Sequence, residues 1–140
     1  TGVDLELLEQ PVPQADFAGL EEVAANSPVP VFADESIQTP AQAVRLVQTP
    51  VQGFNCKVNK CGLFGVLDII AIAKSAGRKL MLGCMLETRR SIALSLALAC
   101  GTGAFDYIDL DSHLLLNEAG QNPFFYQLGG QMSPLFPKEG

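Results

Sequence analysis

The sequence predicts an α/β chain of about five parallel strands with intervening helices, and four observations carry that reading. Five short apolar runs recur: VDLELLEQ, VPVFADES, GFNCKVNK, KLMLGCMLE and FDYIDLDS. A segment of helical pattern follows each of the first four. Strand ends return at a spacing of roughly 25 residues, the period of a repeated strand–helix unit. The runs are nearly continuous in apolar residues, as expected of a parallel sheet covered on both faces.

The helices follow in order. The first spans Asp16 to Ala25. The second opens at Thr39-Pro40, a capping hydroxyl followed by proline at the first helical position, and continues through AQAVRLVQ. The third is LFGVLDIIAIAKSAG, closed by Gly77, and the fourth is RRSIALSLALACG, closed by Gly101. This order leaves two architectures, a doubly wound sheet or part of a (β/α)8 barrel. No Gly-x-Gly-x-x-Gly follows the first strand, which weighs against a dinucleotide-binding sheet.

A length of 140 residues suits one domain. The net charge of −6 argues against nucleic acid or an anionic membrane as partner. The apolar run SIALSLALAC is too short to span a bilayer, and no basic, apolar leader opens the sequence. The four cysteines form no Cys-x-x-Cys pair and read as buried free thiols, so the expected compartment is the cytoplasm. From Asn117 to Gly140 the composition turns to Gly, Pro, Gln and Phe, which predicts a strand–helix unit over 1–116 and an irregular or short-stranded tail over 117–140. In that tail Phe124, Phe125 and Tyr126 read as hydrophobic anchors.

Polar residues cluster at the C-terminal ends of the apolar runs: Glu9, then Asp34 and Glu35, then Lys57, Glu87, and Asp109 with Asp111. Functional groups at every strand end are the pattern of a barrel whose reactive face lies there. Alternation puts Asn55 and Lys57 on one strand face, as it does Asp109 and Asp111. Lys57 then points into the same polar cup as the acids, where desolvation and a nearby divalent cation would favour its neutral amine. Lys60, at the strand's end, reads as a solvated or loop-positioning charge, and His113 as a packing residue. Glu9 and Asp34 are hard oxygen ligands without histidine or cysteine neighbours, a donor set that suits Mg²⁺.

LLEQPVP, VFADESI, NCKVNKCG, MLGCMLET and DYIDLDSHLLL together resemble the C-terminal barrel half of the enolase superfamily, muconate-lactonizing-enzyme subgroup. The resemblance runs from Leu5 to Leu116. It implies that Glu9 and Asp34 bind Mg²⁺ and that Lys57 is an acid/base catalyst. Dipeptide epimerases of that family carry an Asp-x-Asp on the last strand for the substrate's α-ammonium, which maps to Asp109 and Asp111. The implied activity is 1,1-proton transfer on a dipeptide through an ene-diolate.

The family's Lys-x-Lys base and its first metal-binding aspartate match nothing in this sequence, so the expectation is part of an enzyme, inactive alone. Other activities of the subgroup stand as alternatives: o-succinylbenzoate synthesis, N-acylamino-acid racemisation or muconate cycloisomerisation. A non-catalytic half-barrel that works only by assembly is another. Open strand edges and apolar residues such as Leu5, Leu7 and Phe32 would then drive self-association.

Overall fold

The computed structural model describes residues 2–117 and 124–135. Five parallel strands, β1 (Leu8–Glu9), β2 (Val31–Ala33), β3 (Gly53–Cys56), β4 (Lys79–Leu82) and β5 (Tyr107–Ile108), pair in sequence order β1-β2-β3-β4-β5. A doubly wound sheet reverses direction at a switch point; this one never does, so the strands form half of a (β/α)8-type barrel. Helices α1 (Phe17–Asn26), α2 (Pro40–Leu46), α3 (Val58–Ser75) and α4 (Arg89–Thr102) fill the connections. A 3₁₀ turn at Ser112–Leu115 and an antiparallel hairpin, β6 (Phe125–Leu128) and β7 (Gln131–Pro134), follow.

The sheet's two faces divide the side chains. Val31, Ala33, Phe54, Cys56, Leu80 and Leu82 point outward and are buried with Leu20, Leu46, Ile69, Ala73, Ile92 and Leu96 of the helices. The register pairs Glu9 with Phe32, Phe32 with Gly53, Asn55 with Met81, and Met81 with Tyr107, so these residues share the concave face. Phe32, expected to meet water, is fully buried. Gly53 opposite it has no side chain to occupy the room its ring takes, and Tyr107 lies edge-on with centroids 5.6 Å apart. Leu5 does stand exposed, and Leu7 is half-buried.

Capping chemistry sets the helix limits. Thr39 accepts from the Gln42 amide ahead of Pro40, as its sequence predicts. Gly77 (φ 64°) closes α3, with the Arg78 amide reaching back to the Ala73 carbonyl at 2.8 Å. The end of α4 differs from expectation: Gly101 lies inside the helix, and Gly103, left-handed at φ 56°, is the cap. The helix following β3 also starts earlier than its apolar period suggests. It begins at Val58, and Gly62 (φ 69°, ψ 163°) separates this first turn from the rest.

Strand β1 shortens to Leu8–Glu9, since only β2 pairs with it and Val3–Glu6 are exposed. In the tail, Phe125 is buried and Phe124 half-buried, as anchors should be; the side chain of Tyr126 lies outside the described residues. The hairpin packs on α4, with the guanidinium of Arg89 4.8 Å from the Phe125 ring centroid.

Candidate active site

The C-terminal ends of β1, β2 and β3 bring Glu9, Asp34, Asn55, Lys57 and Lys60 into one cup. The local cause is a strand-to-helix switch. Cys56 ends β3 and Val58 opens α3, leaving Lys57 between them with extended backbone (φ −133°, ψ 126°), so its side chain still follows the concave face. The amides of Lys60 and Cys61 both bond the Lys57 carbonyl at 3.0 Å. Lys57 and Lys60 are therefore three residues apart on one helical turn and face the same way.

They converge on Asp34. Lys57 Nζ lies 2.7 Å from Asp34 Oδ2, and Lys60 Nζ bonds Asp34 Oδ1. Lys60 also donates to the Asp34 carbonyl at 2.6 Å and the Asn55 carbonyl at 3.2 Å. The expectation of a solvated Lys60 is thus corrected: a strand running through Lys60 would have turned it away from Lys57, whereas the helical turn buries it at the strand ends. Asn55 donates its amide to Glu9 Oε1 at 2.7 Å. Its Oδ1 is buried with no hydrogen-bond partner.

Two further residues build the cup. Gln10 holds a left-handed backbone (φ 37°), which costs a non-glycine residue on the order of 1–3 kcal/mol. Its side chain compensates: Oε1 accepts from the amides of Asp34 (2.9 Å) and Ser36 (3.1 Å), while Nε2 donates to Ser36 Oγ and the Val12 carbonyl. Gln10 thus fixes the backbone that carries Asp34. Gly83, just past β4, is the floor under Asn55 and Lys57; a Cβ there would sit 2.6 Å from Asn55 Oδ1 and 3.0 Å from Lys57 Cε.

Charge sets the protonation of the cup. Burial pushes the Glu9 carboxyl up, and the neighbouring Asp34 carboxylate adds to this against the Asn55 hydrogen bond, leaving it raised. Burial acts the same way on Asp34, but the hydrogen bonds and charges of Lys57 and Lys60 outweigh it and hold the group low. For Lys57 the expected effect of burial is present but is outweighed by the chain's own carboxylates. Burial does pull its amine down, but Asp34, Glu9 and Glu35 together hold it above the ordinary lysine value.

The other strand-end acids separate. Asp109 and Asp111 are exposed on the continuation of β5 and line a cavity of about 350 Å³ with Leu110, Gln127 and Met132. Burial and then the Asp111 charge raise the Asp109 carboxyl, and the Lys57 charge opposes them. Glu35 is exposed. Glu87 is buried and structural, accepting from the Met85 amide (2.9 Å) and the Ser91 hydroxyl. His113 is likewise a packing residue, bonded to the Leu110 carbonyl (3.1 Å) and Gln127 Oε1 (2.7 Å) and edge-on to Phe125.

Glu9 and Asp34 fit a hard divalent cation. Two like-charged carboxylates share the cup, and the unpaired Asn55 Oδ1 adds a neutral oxygen to it. Among the described residues no group of three or more His, Cys, Asp or Glu side chains could hold a metal. No helix of the described residues is long and apolar enough to cross a membrane.

A half-barrel with carboxylates and a lysine at its strand ends defines a class of protein, and the family comparison agrees. Residues 1–131 match the enolase C-terminal domain-like family, and the chain belongs to it. Among its relatives is the L-Ala-D/L-Glu epimerase of Thermotoga maritima, 46% identical over 132 residues, or 94% of this chain and 38% of that protein. The substrate-liganded L-Ala-D/L-Glu epimerase of Bacillus subtilis superposes with a TM-score of 0.89 at 34% identity, covering 94% of this chain and 38% of that one. The Methylococcus capsulatus dipeptide epimerase complexed with Mg and L-Arg-D-Lys gives a TM-score of 0.81 at 34% identity over the same shares. The chain thus spans well under half the length of these relatives.

Proposed function

We propose that this chain carries the C-terminal half of a dipeptide epimerase active site, on which a dipeptide is inverted at one Cα. The observation that carries the reading is the convergence of Glu9, Asp34 and Lys57 at the ends of adjacent parallel strands. The dipeptide epimerases among its relatives support the same assignment.

Glu9 and Asp34 would hold Mg²⁺. The ion would supply positive charge beside the substrate carboxylate, where negative charge gathers as the Cα proton leaves. With only two carboxylates, this chain alone is expected to hold it weakly. Lys57 takes or returns the proton on one face of the substrate Cα, and a base outside this chain serves the opposite face. A positioned acid/base group of this kind contributes about 10²–10⁴-fold. Gln10 and Gly83 keep the geometry: one fixes the Asp34 backbone, the other leaves room for Lys57. Asp109 and Asp111 receive the substrate's α-ammonium; two carboxylates lining one cavity favour a cation, for which muconate or succinylbenzoate has no counterpart.

A chimera tests this, with this chain replacing the matching part of the Thermotoga maritima relative. Asp109→Asn or Asp111→Asn should lower kcat/KM for dipeptides by about tenfold to a hundredfold, the worth of a charged hydrogen bond. N-acylated substrates, which lack the ammonium, should lose much less. Equal losses on both would give the two aspartates a structural role.

A further inference from the structure

Both lysines of the cup touch Asp34, but they are held very differently. An ammonium has three N–H donors. Those of Lys60 have three acceptors: Asp34 Oδ1, the Asp34 carbonyl at 2.6 Å and the Asn55 carbonyl at 3.2 Å. Two of these acceptors are backbone oxygens at the ends of paired strands β2 and β3, so they cannot rotate away. Lys60 itself stands on the short first turn of α3, tied to the Lys57 carbonyl through its own amide. Among the described residues the Lys57 ammonium has one hydrogen-bond acceptor, Asp34 Oδ2 at 2.7 Å. Their exposures are alike, 13% for Lys57 and 10% for Lys60, so solvent does not distinguish them. The number and rigidity of acceptors do.

We infer that Lys60 is a positioning residue that fixes the Asp34 carboxylate through a saturated, permanent tripod, while the Lys57 contact with Asp34 is exchangeable. This rests on the reading of Asp34 as a cation ligand and of Lys57 as the acid/base group. It gives the two lysines separate work. Lys60 holds one carboxylate oxygen, which orients the other toward the cup. That second oxygen is contested between Lys57 and a divalent cation, so cation binding would release Lys57 toward the substrate. An ammonium that anchors Asp34 and an ammonium that must move cannot be the same group.

Nitrogen-detected NMR of the lysine ammonium groups tests this on the chain itself. In the metal-free wild type the Lys60 ammonium should exchange its protons with water more slowly than that of Lys57. On adding Mg²⁺ the Lys57 signal should shift, while that of Lys60 should persist. Two variants give an independent readout through the Asp34 χ1 couplings. Lys60→Met should average them toward a rotamer mean, and Lys57→Met should leave them fixed. Lys57→Met should also tighten Mg²⁺ binding by about fivefold, since a competing charge is gone.

The inference is overturned if Lys60 exchanges as fast as Lys57, or if both signals respond alike to Mg²⁺. It is equally overturned if Lys60→Met leaves the Asp34 couplings at wild-type values. Should Mg²⁺ move no signal of Asp34 or Asn55, the cation reading of the cup fails separately. The exchange rates and couplings, which need no metal, still decide the role of Lys60.

Discussion

Gly83→Ala is a one-carbon change whose cost can be worked from the cup. The added Cβ would stand 2.6 Å from Asn55 Oδ1, 2.8 Å from its Nδ2 and 3.0 Å from Lys57 Cε. Carbon–oxygen contacts settle near about 3.3–3.6 Å, so the amide must retreat by about 0.7 Å or more. Asn55 is 2% exposed and donates to Glu9 at 2.7 Å. Either it stays and the site is overpacked, at about 1–3 kcal/mol, or it swings and the bond to a carboxylate is lost, at about 1.5–3 kcal/mol. These are alternatives and do not add, so about 2–3 kcal/mol is expected. For a chain of this size that is a drop of about 8–12 °C in Tm. Circular-dichroism melts at one fixed concentration measure it. In an Asn55→Ala background, where the amide is gone, the same change should cost less than about 1 kcal/mol. A Gly83→Ala chain melting within about 1 °C of wild type would refute the packing, as would an equal loss in both backgrounds.

Acid stability should divide between the two carboxylates. Asp34 is held low, so its contribution is present at neutral pH and is lost as pH falls through the ordinary carboxylate range, about 4, toward its depressed value. Glu9 is raised, so it works the other way: its contribution disappears as pH rises above that range. Melts against pH should therefore lose the acid limb in Asp34→Asn and lose the opposing slope in Glu9→Gln. Cysteine labelling should separate by site. Burial pushes the Cys56 thiol up to about 12, so it should react only on unfolding, while exposed Cys100 labels at once; mass spectrometry of timed samples checks the order. Self-association is expected through the edges of β1 and β5 and exposed apolar side chains such as Leu5 and Ile108. Light scattering at micromolar concentration should give a mass above that of one chain, and a cooperative monomer would count against it.

Periodicity and cap residues made much of the fold legible. Thr39-Pro40 and Gly77 mark helix ends because their chemistry is local: a hydroxyl acceptor, a fixed φ, a free left-handed φ. Gly101 misleads because two glycines lie near that end, and only the backbone geometry selects Gly103. The concave face could be read from alternation up to Lys57 and no further. Past it the period changes from strand to helix, and so Lys60 read as a solvated or loop-positioning charge and not as part of the cup. Its signal was nonetheless present: three residues from Lys57, on a turn before a glycine. Phe32 shows a second limit. Its burial depends on the bare backbone of Gly53 across the sheet, a contact 21 residues away that no local pattern encodes. Glu87 stood among the strand-end acids, but its carboxylate is taken up by the Met85 amide and the Ser91 hydroxyl, while His113 packs as its place in the sequence suggested.

The most direct test of the central claim is proton exchange at the substrate Cα in the chimera carrying Lys57→Met. If Lys57 serves one face and a base outside this chain the other, epimerisation should fall by at least about 10²-fold. In deuterated water, one epimer of the dipeptide should still exchange its α-proton, while the other should not. Mass spectrometry and proton NMR of each pure epimer read this directly. Exchange of both epimers, or epimerisation near the unsubstituted chimera's rate, would contradict the assignment of Lys57 and with it the proposed half-site.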